Sequence, residues 1–148
     1  MLPWRRDELV VIASPDHELA QRRRIAPSSL QHAPFIVRER GSGTRRVAEE
    51  ALRAHGISLR IALTLSSTEA IKQAVAAGNG LAIVSKAAIG DQLALGRIAV
   101  VQLRGLSFPR ALSELDLVGR APSAAAQGFR LVLHARRETA TAPPHVAP

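Results

Sequence analysis

The sequence predicts an α/β fold with a mostly parallel sheet and helices on both of its faces. Short apolar runs alternate with amphipathic helical patterns in the order β-α-β-α-β-α-β as far as residue 103. Hydrophobic residues make up 47% of the 148 residues but aromatic residues only 3%, so the core must consist of Leu, Ile, Val and Ala. A chain of this length holds one ordinary domain, or one small domain and part of another.

The first elements are read from apolar content and capping signals. The continuous apolar run Leu9–Ala13 predicts a central strand. Ser28 and Gln31 follow Pro27 with the spacing of a capping box, which predicts one helical turn over residues 28–32.

The next unit is a strand, a glycine-containing turn and a helix. Phe35–Val37 is the strand, and the helix ends at Gly56, where a C-cap glycine belongs. The apolar face of the helix carries Val47, Ala48, Ala51, Leu52 and His55. The turn consists of Gly41, Ser42, Gly43 and Thr44. Two interpretations stay open: the turn presents N–H groups and a helix dipole to an anion, or Ser42 and Thr44 only cap the helix.

A second unit repeats this arrangement. Residues 59–65 alternate in hydrophobicity, which predicts a strand whose face with Ile61 and Leu63 is the more buried. Ser66 and Glu69 have capping-box spacing, so a helix is predicted from there to Gly78. Two such turns in neighbouring βα units place both helix N-termini at one edge of the sheet.

The remaining elements are predicted from the same patterns. Strands are expected at 81–84, 98–103 and 113–118, helices at 86–95 and 123–137, and disorder in the Pro/Ala/Thr-rich tail. The last helix carries Ala125, Phe129, Val132 and Leu133 on its apolar face. The residues expected to be buried against the sheet are Ile71, Val75, Leu81 and Ile83.

Composition and missing motifs restrict the function. The net charge is +8 and all but two of the 20 basic residues are arginine, yet they are scattered and lack interleaved aromatic residues, so nucleic-acid binding is a weaker alternative. There is no cysteine, no apolar run of about 20 residues and no secretory signal, so a cytoplasmic protein without a membrane span is expected. No histidine pair has metal-ligand spacing, and no nucleophile motif or Walker A loop is present. These observations favour a binding domain with no catalytic residues, metal or cofactor over an enzyme.

Four segments together resemble the effector-binding domain of LysR-type transcriptional regulators. They are DELVVIASPDHELA, PFIVRERGSGTRRVAEEAL, the stretch from LSSTEAIKQAVAAGNGLAIVS to residue 103, and LDLVGRAPSAAAQGFRLVL, in the family's order. The resemblance implies a two-lobed fold like that of type II periplasmic binding proteins, with the ligand between the lobes. It divides the chain into a crossing strand (1–14), an effector-binding lobe (15–112), a return strand and helix (113–137) and a tail (138–148).

The resemblance also implies a site and partners. The ligand-facing positions are Arg40, Gly41, Ser42, Gly43, Thr44, Ser66, Ser67 and Thr68. They suit a small anionic effector, bound weakly because half of the first lobe is absent. A homodimer or larger oligomer with contacts over residues 113–136 is expected. DNA binding is expected only through a winged helix-turn-helix that this chain lacks. A transport protein with the same fold is the alternative.

Overall fold

The computed structural model describes residues 2–116, 119 and 121–139. The chain divides into two compact units. The larger unit comprises Asp7–Arg110, and the smaller comprises the residues before and after it.

Within the described residues the sheet has six strands, five of which lie side by side in the order β3-β2-β4-β1-β5. Their bounds are β1 Leu2–Ala13, β2 Pro34–Arg38, β3 Arg60–Leu65, β4 Leu81–Ser85 and β5 Ala99–Val101. Strand β2 pairs parallel with β3 and β4, whereas β1 runs antiparallel to β4 and β5. A sixth strand, β6 (Phe108–Glu114), pairs with β1. The predicted sheet is therefore confirmed, with β1 as the strand that reverses direction.

In the part of the chain that the structure describes, four α-helices and two 3-10 helices accompany these strands. The α-helices are α1 Gly43–Ala54, α2 Thr68–Ala76, α3 Gly90–Ala94 and α4 Ala124–Thr139. The 3-10 helices span Pro27–His32 and Lys86–Ala88. Helix α1 closes as predicted: Gly56 has a φ of 67°, and the Ile57 N–H donates to the carbonyl of Leu52 at 3.0 Å.

The core lies on both faces of the sheet. Successive strand residues point to opposite faces, so β2 sends Phe35 towards α1 and Ile36 towards α2. Helix α1 buries Ala48 and Leu52 in the first layer. Helix α2 buries Ile71 and Val75 in the second layer. The four predicted core residues are confirmed as buried, with Ile71 and Val75 in one layer and Leu81 and Ile83 in the other.

The contrast predicted between the two faces of β3 is weak. Leu65 is half-buried while Ala62 and Thr64 are exposed, but Ile61 and Leu63 are also 47% and 44% exposed. Strand β3 is at the edge of the sheet with β2 as its one paired strand, so its periodicity translates only partly into burial. His55, predicted on the buried face of α1, is also exposed because it lies beyond the end of that helix.

Several boundaries differ from the sequence prediction. The Ser28–Gln31 capping box does not form, since Ala26 precedes the 3-10 helix without a side-chain cap. The single helix predicted over 86–95 is split at the fully buried Ile89, which is followed by Gly90. Strand β1 begins at Leu2 and not at Leu9, because the charged residues 5–8 interrupt the apolar run on which the prediction was based.

The last strands are also displaced. Strand β5 is limited to Ala99–Val101, and Leu103 instead forms an isolated bridge with Ile25. Strand β6 ends at Glu114 and includes Pro109, which a strand tolerates at an edge. Of the predicted 113–118 strand, residues 117 and 118 lie outside the described part, as does the tail beyond residue 139.

A charged cluster links β6 to α4 in the described part of the smaller unit. Arg130 pairs with Glu114 and Asp116, and His134 Nε2 lies 3.1 Å from Glu114 Oε2. The hydrogen bond from Arg130 lowers the pKa of Glu114 below its usual range. Apolar side chains of α4 stay uncovered, with Phe129 66% and Val132 57% exposed.

No helix within the described residues is long and apolar enough to cross a membrane.

Candidate functional site

The two predicted turns lie side by side at one edge of the sheet. Strands β2 and β3 are parallel neighbours, with Arg38 opposite Leu65 at their carboxyl ends. The chain leaves β2 towards α1 on one face and leaves β3 towards α2 on the other. Connections that diverge in this way open a crevice at the carboxyl edge, the usual ligand position of open α/β sheets. The predicted placement of both helix N-termini is confirmed.

Each turn caps its helix with a serine side chain. The Ser42 Oγ accepts from the Arg45 N–H at 3.5 Å, and the Ser67 Oγ accepts from the Ala70 N–H at 3.3 Å. The capping box predicted for Ser66 is therefore wrong by one residue. Ser66 lies exposed between β3 and α2, and Glu69 is in the first turn of α2.

Arg38 connects the two turns. Its Nη1 donates to the Thr68 Oγ1 at 3.4 Å, while its own carbonyl accepts from Arg45 Nη1 at 3.0 Å. A two-pronged pair with Glu39, at 2.8 and 2.9 Å, fixes the guanidinium. That hydrogen bond raises the pKa of Arg38 and lowers the pKa of Glu39. The sequence did not single out Arg38, because as the last residue of an apolar strand it looks like an ordinary strand end.

A second arginine reaches Thr44 from the other end of the larger unit. Arg110 Nη1 donates to the Thr44 Oγ1 at 2.9 Å, and its Nε and Nη2 both lie 2.6 Å from Asp7 Oδ2. The Ser85 hydroxyl lies 3.0 Å from each oxygen of Asp7. Sequence spacing carries no signal for this cluster, since positions 7, 44, 85 and 110 come together only through the sheet.

The remaining predicted residues lie on the outer side of the same turn. Arg40 and Gly41 line a shallow groove along the exposed face of α1, with Arg45 and Arg46 further along it. Gly43 is the first residue of α1, and a Cβ added there meets no atom within 4 Å. Thr68 thus bonds to Arg38, whose carbonyl accepts from Arg45 on α1, whereas Thr44 bonds to Arg110. Arg40 faces the groove instead.

This geometry suits an anion. Two helix N-termini lie at one edge of the sheet, each first turn has a threonine bonded to a guanidinium group, and hydroxyl groups can either donate or accept there. Within the described residues, no group of three or more potential metal-ligating side chains comes together.

Comparisons with known proteins agree with this fold. The family model described as LysR substrate binding domain matches residues 1–138. The chain therefore belongs to the LysR substrate-binding domain family, whose members are transcriptional regulators rather than enzymes. Its architecture is that of an effector-binding domain with a type II periplasmic-binding-protein-like fold, as the sequence predicted.

Two transcriptional regulators are similar in sequence to this chain. The chain is 39% identical over 127 residues to the RuBisCO operon transcriptional regulator of Acidithiobacillus ferrooxidans, covering 86% of this chain and 41% of that protein. It is 41% identical over 113 residues to the HTH-type transcriptional regulator YeiE of Escherichia coli K12, covering 76% of this chain and 37% of that protein. The chain thus spans about two fifths of the length of these relatives.

Two of the similar solved structures are complexes with small organic ligands. The regulatory domain of CcmR from Synechocystis PCC6803, in complex with 2-PG, is 32% identical and has a TM-score of 0.77 over 92% of this chain and 65% of that chain. The effector-binding domain of QuiR in complex with shikimate is 21% identical and has a TM-score of 0.79 over 93% of this chain and 65% of that chain. The second likeness concerns the fold alone.

Proposed function

We propose that this chain is the sensing domain of a bacterial LysR-type transcriptional regulator whose effector is a small anionic metabolite. The observation that carries the proposal is that the N-termini of α1 and α2 lie at the same edge of the sheet and are both bonded to Arg38. The Arg38 side chain donates to Thr68 of α2, and the Arg38 carbonyl accepts from Arg45 of α1. Backbone N–H groups in a first helical turn have no intrahelical acceptor, and the helix dipole favours negative charge there. The guanidinium of Arg38, which Glu39 holds in place, adds a further N–H donor beside Thr68.

The chemistry of the effector follows from the donors. Hydroxyl, backbone N–H and guanidinium groups form charge-assisted hydrogen bonds to carboxylate, phosphate or sulfate. The CcmR regulatory domain is 32% identical and its structure is a complex with 2-PG, which makes 2-PG a suitable first probe. The predicted contact residues are proposed to be Arg40, Gly41, Ser42, Gly43, Thr44, Ser66, Ser67 and Thr68.

The regulator's remaining functions are proposed from the family. We propose that DNA is contacted by a helix-turn-helix domain outside this chain, as the names of the HTH-type relatives suggest, and that the protein acts in the cytoplasm. We also propose a homodimer or larger oligomer with a contact over residues 113–136. The uncovered Phe129 and Val132 on α4 support this, because soluble monomers rarely leave adjoining apolar side chains bare.

Calorimetric titration tests the effector site. The chain is titrated with 2-PG, inorganic phosphate, sulfate and shikimate, and we expect at least one of the anions to bind. Thr44→Val keeps the shape of the side chain but removes the hydroxyl, so it should weaken binding by about tenfold, corresponding to one lost hydrogen bond of roughly 1.4 kcal/mol.

Ser58→Ala is the matched control, because Ser58 is exposed beyond the opposite end of α1. It should leave the affinity unchanged. Equal affinity of Thr44→Val and the parent chain, or failure of every anion to bind, would contradict the proposal.

A further inference from the structure

Arg110 bonds to Thr44 of the predicted site but is not itself among the residues that the family resemblance implies. Three of its five N–H donors are in use: two meet Asp7 Oδ2 at 2.6 Å and one meets the Thr44 Oγ1 at 2.9 Å. The Arg110 side chain is 20% exposed, and two donors remain for a further acceptor. The guanidinium is therefore partly open to solvent and directly beside the first turn of α1.

Asp7 holds Arg110 in this position. The side chain of Asp7 is only 7% exposed, and its second oxygen, Oδ1, lies 3.0 Å from the Ser85 hydroxyl. A buried carboxylate with these partners leaves little rotational freedom to the arginine that it binds. The planar guanidinium is consequently held in one orientation, and an asparagine at position 7 would keep an acceptor oxygen for it while removing the negative charge.

An ion pair between Arg110 and Asp7 that only stabilised the fold would not need the additional contact from Arg110 to Thr44. Thr44 is the second residue of α1, and the Arg45 N–H is already taken by the Ser42 Oγ. The N–H groups of Gly43 and Thr44 have no acceptor within the helix and are left to bind a ligand. The Arg110 guanidinium lies beside them through its bond to the Thr44 Oγ1, and a guanidinium next to free N–H groups suits a carboxylate or phosphate group.

We infer that Arg110 is an effector-binding residue and that Asp7 controls how much of its positive charge an anionic effector meets. This inference rests on the proposed function and deepens it. Asp7 neutralises most of the charge on Arg110, so a neutral isostere at position 7 should make the site more attractive to anions. A purely structural pair predicts the opposite, because losing Asp7 would then only loosen the site.

The two interpretations predict opposite changes in anion affinity for Asp7→Asn, so the following experiment distinguishes them. The complete chain is titrated calorimetrically with 2-PG as Arg110→Gln, Arg110→Lys, Asp7→Asn and the Asp7→Asn/Arg110→Gln double variant. We expect Arg110→Gln to weaken binding at least tenfold and Arg110→Lys to restore part of the loss. Asp7→Asn should strengthen binding about threefold or more, and this gain should vanish in the double variant.

The double variant also controls for folding. Arg110→Gln alone leaves a buried carboxylate without its cation, which destabilises proteins, whereas the double variant removes both charges. Circular dichroism melts identify any variant that fails to fold, and the double variant then replaces Arg110→Gln in the comparison with Asp7→Asn.

The outcomes separate this inference from the proposed function. Unchanged affinity of Arg110→Gln, or weaker binding by Asp7→Asn, overturns the inference alone, provided that Thr44→Val still weakens binding. If the parent chain binds none of 2-PG, phosphate and sulfate, the proposed function fails and this inference fails with it.

Discussion

Gly80 is the position at which a single added methyl group should damage the larger unit most. Gly80 has a φ of 142°, and a Cβ built on it would lie 2.5 Å from the carbonyl oxygen of Pro34. Pro34 begins β2, which is hydrogen-bonded to β3 on one side and to β4 on the other, so its backbone cannot move away. The clash must be relieved by distorting the strand that leads to the candidate site.

The size of the effect follows from two contributions. A non-glycine residue in a disfavoured backbone region costs about 1–3 kcal/mol. Forcing extra volume into a packed region costs about 1–3 kcal/mol more. We therefore expect Gly80→Ala to lower the free energy of unfolding by about 2–6 kcal/mol, measured by urea denaturation followed by circular dichroism.

Gly78→Ala is the matched control. Gly78 has a φ of 80°, but a Cβ there would meet no atom within 4 Å. It should incur only the backbone strain, about 1–2 kcal/mol. The difference between the two variants isolates the clash, and equal destabilisation by both substitutions would refute the reasoning.

Three further predictions concern the core, the pH dependence and self-association. Ile83→Ala should destabilise by about 2–5 kcal/mol in a denaturant series, because Ile83 is buried on a central strand, and a loss below about 1 kcal/mol would contradict its assigned packing. The hydrogen bond from Lys72 lowers the pKa of Glu69 below its ordinary 4.5, so its contribution to stability is present above that pH and is lost as the pH falls further. The stability difference between parent and Glu69→Gln should therefore shrink between pH 7 and pH 3, and a constant difference would argue against the pair. Sedimentation velocity should show an oligomer that Phe129→Ser/Val132→Ser converts to monomer, while Ile61→Ser/Leu63→Ser on the exposed β3 edge does not, and the reverse result would move the contact to β3.

Local chemistry accounts for what the sequence predicted well. Ser42 and Gly56 mark the ends of α1 because capping and positive φ depend on neighbouring residues alone. The same local rule failed at Ser66, because Ser67 offers an equivalent hydroxyl one position later and caps the helix instead. The acidic residue of the predicted capping box has a different partner. Glu69 in fact pairs with Lys72 at 2.7 Å.

Features that depend on the assembled sheet were not predictable from spacing. The exposure of Ile61 follows from the edge position of β3, which no property of residues 60–65 reveals. Arg110 was missed for a similar reason, since its partners Asp7 and Thr44 are 103 and 66 positions away. Its only local signal is an isolated charge after Phe108 and Pro109, which is typical of any loop or edge strand.

The most direct test of the proposed site is a map of backbone amide chemical shifts during titration with 2-PG. The structure contains a second cationic cavity, lined by Arg23, Arg24, Gln102 and Arg104, which provides a competing location for an anion. We predict that the largest shifts fall on Ser42–Arg45 and Ser67–Ala70, the first turns of α1 and α2. Shifts concentrated at residues 23–24 and 102–104, with those helix turns unchanged, would contradict the account.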